Sequence, residues 1–121
     1  MASIFIQENC LKEHHVAAIE NAKEFMQRHF RDNISLNQIS NYCHTSQFHF
    51  SRIFKQFTNC SPYQYLLFIR LNHAEVLLRS TSKPITDICF SSGFNSLEHF
   101  ATIFRTKFKK NPSEYRRACI Q

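Results

Sequence analysis

Apolar and polar positions follow a helical period in two segments that lie fifty residues apart. In each segment the apolar residues fall within one stripe when the chain advances about 100° per residue. The stripes consist of Phe50, Ile53, Phe54 and Phe57, and of Phe100, Ile103, Phe104 and Phe108. A phenylalanine stripe at this spacing is usually buried, because large apolar side chains supply much of the area that a small helical domain must bury. The pattern predicts two amphipathic helices whose opposite faces are left for solvent or a partner.

Capping signals divide the chain into seven predicted helices. Ser35 with Gln38 has the spacing of a capping box, Ser46 and Ser96 are N-cap candidates, and Pro84 suits a first turn. The predicted helices are 14–31, 36–43, 47–58, 62–80, 84–91, 97–108 and 112–118. A single glycine and three prolines leave little room for hairpins. The chain is therefore predicted to be all-α.

The same arrangement of helices occurs twice. Residues after Ser46 align with those after Ser96 at an offset of 50, whereas Ile39 aligns with Ile88 at an offset of 49, so the second turn has one extra residue. Each unit reads as a short helix, a tight turn and a longer helix, which is the helix-turn-helix plan. Gly93 lies in the second turn, where a left-handed conformation is easily adopted, and His44 takes the comparable place in the first.

The predicted architecture is two helix-turn-helix subdomains joined by a long central linker helix. The ranges are an N-terminal extension at 1–13, whose order is left open, a first subdomain at 14–61, the linker helix at 62–80 and a second subdomain at 81–121.

The charge is unevenly distributed along the chain. The net charge is +6, and residues 96–121 hold six basic and two acidic residues, whereas residues 1–31 are balanced at four each. A basic excess at one end indicates nucleic acid or an anionic membrane as partner, with a solvated basic face as the alternative. Apolar runs such as Tyr65–Ile69 are far too short to cross a bilayer.

Catalytic and metal-binding motifs are not evident in the sequence. The five cysteines form no CxxC pair, and no two of the seven histidines are three or four positions apart, so neither a metal site nor a cofactor is predicted. The odd cysteine number fits reduced thiols in a cytoplasm. No phosphate-binding loop or paired carboxylates point to an enzyme.

The polar face of the first long helix contains the candidate binding residues. An arginine can pair with guanine, a glutamine with adenine, and an aromatic ring can pack on a thymine methyl group. We therefore predict base contacts from Gln47, Phe48, Ser51 and Arg52, and phosphate contacts from Lys55 and Gln56. The alternatives are packing of Phe48 on a neighbouring helix, and a salt bridge or a solvated charge for Arg52.

Two stretches of the chain resemble the AraC/XylS family of bacterial transcription regulators. They are "SLNQISNYCHTSQFHFSRIFKQFTNCSPYQYLLFIRLNHAEVLL" and "PITDICFSSGFNSLEHFATIFRTKFKKNPSEYRR", and the resemblance covers roughly residues 15–117. It implies a sequence-specific regulator that places two recognition helices in major grooves about 34 Å apart on double-stranded DNA. A 19-residue linker helix, about 28 Å long, is a plausible spacer. The family also implies a cytoplasmic, nucleoid-associated location.

The second recognition helix departs from the family pattern, which often has a basic residue where Thr102 stands. Its predicted base contacts are Leu97, Glu98, Ala101 and Thr102, and its predicted phosphate contacts are Arg105, Lys107, Lys109 and Lys110. We expect the first unit to contribute more base discrimination and the second more phosphate anchoring. The alternative is a protein-interaction module with a degenerate helix-turn-helix, for example one that contacts RNA polymerase.

Family members often carry an effector-sensing domain before this region. The sequence leaves open whether the chain is a small stand-alone regulator or the DNA-binding part of a longer one, and whether it activates or represses.

Overall fold

The computed structural model describes the backbone of residues 2–120 and the side chains of residues 14–119. The helices of this part of the chain are α1 (Ala2–His29), α2 (Leu36–Tyr42), α3 (Gln47–Thr58), α4 (Pro62–Ser80), α5 (Ile85–Ser91), α6 (Leu97–Phe108) and α7 (Pro112–Ile120). They confirm the predicted all-α class. Helix α1 begins at Ala2, well before the predicted start near residue 14. The predicted N-terminal extension at 1–13 lies outside the residues whose side chains are described.

The capping residues explain why α2, α3 and α6 begin at the predicted residues. Ser35 Oγ accepts from Gln38 N at 3.2 Å while Gln38 Oε1 accepts from Ser35 N at 2.8 Å, which is a complete capping box. Ser46 and Ser96 cap α3 and α6 by accepting from the backbone N–H three residues later. Pro84 is the N-cap of α5 rather than part of its first turn, because its ψ of 146° is extended.

The chain divides into two compact units. Unit 1 comprises Met1–His29 with Ile34–Leu66, and unit 2 comprises Phe30–Asn33 with Leu67–Gln121. The division falls inside α4, which therefore contributes residues to the core of each unit.

Unit 1 is built around the buried side of α3. Phe50 and Phe54 are fully buried, and their rings lie 5.5 Å apart between centroids. They share the interior with residues from α1, α2 and α4, which include Ala18, Ile19, Ala22, Met26, Ile39 and Leu66. The predicted stripe is wrong at its last member, because Phe57 is 40% exposed, with its ring centroid 6.4 Å from that of His15 in an edge-on arrangement.

Unit 2 repeats this plan with α6 in the place of α3. Phe100 and Phe104 are fully buried, and Ile103 and Phe108 are half-buried against the same core. Helix α7 is held to α4 by Tyr115, whose hydroxyl donates to Glu75 Oε1 at 2.7 Å. This hydrogen bond and burial raise the pKa of Tyr115 to about 12.

The two turns between the short and long helices are alike. His44 has a φ of 57° and Gly93 a φ of 97°, both in the left-handed region that the sequence predicted. In each turn the next residue donates back into the preceding helix, from Thr45 N to Ser40 O at 3.0 Å and from Phe94 N to Cys89 O at 3.2 Å. This bond turns the chain sharply enough for the following helix to pack across the first.

Within the described residues, no helix is long and apolar enough to cross a membrane.

Candidate nucleic-acid interface

The outward face of α3 carries an exposed aromatic ring next to an arginine. Phe48 is 77% exposed, and the Arg52 guanidinium carbon lies 5.9 Å from its ring centroid. The two are four residues apart, so they are neighbours on the helix surface. Among the described residues Phe48 is not packed on another helix and no carboxylate pairs with Arg52, so the packing and salt-bridge alternatives do not hold. The exposed Arg52 agrees with a solvated charge as well as with the predicted base contact. Both side chains are therefore available to a partner.

Gln47 is the first residue of α3 and is held in place by α2. Its Nε2 donates to Asn37 Oδ1 at 2.9 Å, while the side chain remains exposed. Because one amide hydrogen is used, the other hydrogen and the carbonyl oxygen stay free for a ligand. Asn37 is a positioning residue that the sequence does not reveal, since nothing in its spacing indicates contact across the turn.

The remaining predicted residues of α3 lie at different depths. Lys55 and Gln56 are exposed, and Ser51 is half-buried beside the N-terminal turn of α4. Lys55 has no carboxylate partner in the described part of the chain, so its charge is free to meet a phosphate.

The outward face of α6 is less polar than that of α3. Leu97 is 42% exposed, Glu98 and Thr102 are exposed, and Ala101 is half-buried. Thr102 Oγ1 donates to Glu98 O at 3.0 Å. The methyl group and the acceptor sites of the oxygen therefore remain available to a partner. The Glu98 carboxylate, in the first turn of α6, is stabilised there by the helix dipole.

Three of the four predicted phosphate-binding cations of unit 2 are exposed. They are Arg105, Lys109 and Lys110. Lys109 ends α6 in a left-handed conformation with a φ of 66°, and its Nζ donates to Thr106 O at 3.2 Å.

The fourth cation, Lys107, is placed differently. Its Nζ lies 3.2 Å from the Phe68 ring centroid and donates to Asn72 Oδ1 at 3.0 Å, and both partners are on α4. Burial lowers the pKa of the Lys107 ammonium, although nearby Glu75 opposes this. The placement favours a role in fixing α6 on α4 over the predicted phosphate contact. Phe68 gave no sequence signal, because it lies within an otherwise apolar run.

A buried arginine supports the turn of unit 2. Arg70 is 8% exposed and donates from Nε to Phe30 O at 2.8 Å and from Nη2 to Asp32 O at 3.0 Å. A Cβ atom placed on Gly93 would lie 2.4 Å from Phe30 O and 2.8 Å from Arg70 Nε. Gly93 is therefore needed both for the left-handed turn and for the close contact with Phe30 and Arg70, and the sequence does not reveal this contact.

Each unit pairs a short helix with a longer one across a tight turn, and polar or cationic side chains face outward from the long helix. This arrangement defines a helix-turn-helix protein. Residues 39–118 match the sequence model of a family described as "Helix-turn-helix domain". Together with the relatives described below, this match shows that the chain belongs to the AraC/XylS family of transcription regulators.

Several curated relatives are similar over most of this chain. The transcriptional activator RhaS of Enterobacter sp. (strain 638) is 33% identical over 104 residues, which are 86% of this chain and 37% of RhaS. The regulator ArgR of Pseudomonas aeruginosa is 37% identical over 91 residues, which are 75% of this chain and 28% of ArgR. The chain thus spans about a third of the length of the curated relatives that it matches.

Solved structures share the fold. An AraC-type transcriptional regulator from Chromobacterium violaceum has a TM-score of 0.80 and 33% identity, and the match covers 87% of this chain and 94% of that one. The DNA-binding domain of AdpA, solved in complex with a target DNA, has a TM-score of 0.79 at 22% identity, and the match covers 83% of this chain and 90% of that one. At that identity the second match shows the fold alone.

Proposed function

We propose that this chain is the sequence-specific DNA-binding part of a bacterial transcription regulator, acting in the cytoplasm on double-stranded DNA. The observation that carries the proposal is the outward face of α3, where Phe48 and Arg52 are exposed and Arg52 has no acidic partner in the described region. An exposed ring beside an unpaired guanidinium is well suited to the major groove, where thymine methyl groups and guanine acceptors lie close together.

The six candidate contact residues of α3 have defined roles in this proposal, and among them Ser51 contacts a base through its hydroxyl group. Arg52 donates two hydrogen bonds to guanine O6 and N7, and Phe48 packs on a thymine methyl group. Gln47, oriented by Asn37, pairs with adenine through its free hydrogen and its carbonyl oxygen. Lys55 and Gln56 contact phosphates and fix the register of the helix.

Helix α6 reads DNA more weakly and holds it more by charge. Glu98 accepts from a cytosine amino group, and Leu97, Ala101 and Thr102 offer apolar contacts to thymine methyl groups. Arg105, Lys109 and Lys110 bind phosphates, so the second unit contributes mostly affinity and the first mostly discrimination.

The wider activity follows from the family. Family and fold are those of transcriptional regulators, and we infer that the chain has no catalytic activity of its own. RhaS is an activator, and this chain spans 37% of its length. Contact with RNA polymerase and cooperation with an effector-sensing domain are therefore part of the proposal.

Selection of bound sequences from a random DNA pool tests the function. The expected result is a two-part motif with half-sites about 10 base pairs apart. Affinity should fall steeply with salt between about 50 and 200 mM, because bound cations displace counterions from the DNA. A pool that yields no motif, together with salt-insensitive binding, contradicts the proposal and favours the protein-interaction alternative.

Arg52→Ala tests the role of α3 directly. We expect the variant to lose about 1–3 kcal/mol of binding free energy on the selected site and to relax the preference at one base pair. Lys55→Ala is the matched control on the same helix, and it should weaken binding equally on all sequences. Competition anisotropy with single-base variants of the site measures both effects. An Arg52→Ala chain that keeps the full preference at every position would refute the assignment.

A further inference from the structure

A cavity of about 200 Å³ lies in unit 1 beside the proposed recognition helix. Its walls come from the segment before α2, from α2, from α3 and from the N-terminal turn of α4, and they include Ile34, Ile39, Pro62 and Leu66. Tyr63 also lines the cavity and is 56% exposed, so the cavity opens to solvent beside this ring. A cavity of about 150 Å³ lined by aliphatic side chains holds a benzene molecule, so this one has room for a somewhat larger ring system.

The lining selects a neutral and mostly apolar occupant. No charged side chain lines the cavity, so an ionic ligand would be desolvated there without a partner. The flat faces of Pro62 and Tyr63 suit an aromatic ring, which favours offset or edge contacts with another ring.

The Ser51 hydroxyl group in the wall is available for a hydrogen bond. The lining contains Ser51 and Ser61, and Ser61 Oγ already accepts from Gln64 N at 3.1 Å. Among the described residues no donor or acceptor pairs with the half-buried Ser51 hydroxyl. A ligand with one N–H or O–H group at the edge of an aromatic ring would complete this site.

We propose that the cavity binds a neutral aromatic molecule of about the size of indole, through one hydrogen bond to Ser51, and that the bound molecule weakens DNA binding. The second half of this proposal rests on the proposed function, because Ser51 is one of the four residues of α3 assigned to base contacts. A hydroxyl that is bonded to a ligand on one side of the helix is no longer free to turn toward a base.

Indole is the probe, and indene, which has the same shape without the N–H group, is its matched comparison. Amide chemical shifts of the uniformly labelled chain are followed during titration with each compound, without DNA. We expect indole to bind with a dissociation constant below about 1 mM, with shifts centred on Ile34, Ser51 and Leu66. Shift changes scattered over both units, or none at all, overturn the cavity as a binding site.

Ile34→Trp fills the cavity from its edge and should weaken indole binding at least about tenfold. Val76→Trp introduces the same side chain at a position in unit 2 that is 45% exposed, and it should leave indole binding unchanged. Equal affinities in the wild type and in Ile34→Trp overturn the site. Should Ile34→Trp fail to fold, Ser51→Ala decides, with an expected two- to tenfold loss for indole, about the value of one neutral hydrogen bond, and none for indene. The same loss for both compounds overturns the hydrogen bond.

The effect on DNA is measured separately. Saturating indole should lower the affinity of the wild-type chain for its selected site about fivefold and leave that of Ile34→Trp unchanged. Unaltered DNA affinity with indole in the cavity overturns the coupling. A chain that binds indole but selects no DNA motif refutes the proposed function and leaves the cavity assignment supported.

Discussion

Arg70 and Arg52 both lie on helices, but they differ in burial and therefore in the roles they can have. Arg70 is 8% exposed and its guanidinium is bonded to the carbonyl groups of Phe30 and Asp32. Such a group cannot be offered to DNA without losing both of these charge-assisted hydrogen bonds. Arg52 is exposed beside Phe48 and retains all five donors. The sequence shows two arginines of similar helical context, and only packing distinguishes the structural one from the one that can bind.

His73 joins the segment before α2 to the turn of unit 2. Its Nε2 lies 3.2 Å from Arg31 Nη2, which can only donate, so Nε2 accepts and the proton resides on Nδ1. Nδ1 then donates to Ser92 Oγ at 2.9 Å. Burial, and then the charges of Arg31 and Lys83, lower the pKa of His73. These contacts and the lowered pKa favour a neutral imidazole at this position.

Acidification should destabilise the chain through His73. Because the folded chain holds the pKa of His73 below that of the unfolded chain, the contribution of the neutral ring is complete above about pH 6.5 and is lost as the pH falls through the folded pKa. We expect the free energy of unfolding to drop more for the wild type than for His73→Gln between about pH 7.5 and 5.5. Urea titrations at both values measure this difference. Parallel losses in the two chains would show that other histidines carry the effect.

Gly93→Ala should be strongly destabilising. The added methyl group would lie 2.4 Å from Phe30 O and 2.8 Å from Arg70 Nε, where Arg70 makes its hydrogen bond, and the residue would also keep a φ of 97°. The left-handed backbone costs about 1–2 kcal/mol, and loss of a charged hydrogen bond costs about as much again. We expect a loss of about 3 kcal/mol in urea unfolding.

His44→Gly is the control for Gly93→Ala, because it relieves the left-handed turn of unit 1, where φ is 57°. It should raise stability by up to about 1 kcal/mol. A Gly93→Ala chain of near wild-type stability would mean that the segment at Phe30 moves away without cost.

At the scale of helices, α3 and α6 end in the same backbone conformation but with different residues. Both helices end in a left-handed residue, Asn59 with a φ of 63° and Lys109 with a φ of 66°. Asparagine tolerates this conformation better than lysine does. Helix α6 thus keeps a lysine at a position where its backbone is unfavourable, as expected if the charge at that end of the helix is used.

Lys109→Gly and Lys107→Ala should have opposite effects on stability, and only Lys109→Gly should change the salt dependence of DNA binding. Lys109→Gly should raise the free energy of unfolding by about 1 kcal/mol and reduce the salt dependence of DNA binding by about one phosphate. Lys107→Ala should lower stability by about 1–2 kcal/mol, because it loses the Phe68 ring and Asn72, and should change the salt slope little. A clear drop in the salt dependence of DNA binding for Lys107→Ala would show that Lys107 contacts a phosphate after all.

The element pattern was largely predictable from local chemistry. Caps such as Ser35 with Gln38 are determined by neighbours three residues away, so the predicted start of α2 holds in the structure. Phe57 was misplaced because the helical period shows the side of α3 but not how far the core extends along it. Lys107 and Asn37 meet partners 35 and 10 residues away, and no spacing rule identifies such contacts.

At the scale of the whole chain, the basic excess and the side chains proposed to read bases lie in different units. Residues 96–121 hold six basic and two acidic residues, while the exposed ring and guanidinium that suit base recognition are on α3 in unit 1. If binding is the sum of a sequence-independent charge term and a base-reading term, the two terms should be separable by mutation.

Arg105→Ala combined with Lys110→Ala tests this separation. Both residues are exposed and have no carboxylate partner in the described part of the chain, so the double variant should lower affinity on every sequence and flatten the plot of log affinity against log salt by about two. The selected motif should stay the same, since no base contact is removed.

The control for the double variant removes the same amount of charge elsewhere. Lys23 and Arg28 are on α1, where they pair with Glu20 and Glu24. If binding responds to net charge alone, Lys23→Ala with Arg28→Ala will flatten the salt dependence equally. If the cations of α6 and its C-terminal end contact phosphates, the α1 pair will leave the slope near its wild-type value, because only charges that meet a phosphate release its counterion. Equal salt slopes in the two double variants would contradict local phosphate contacts and indicate a general electrostatic attraction instead.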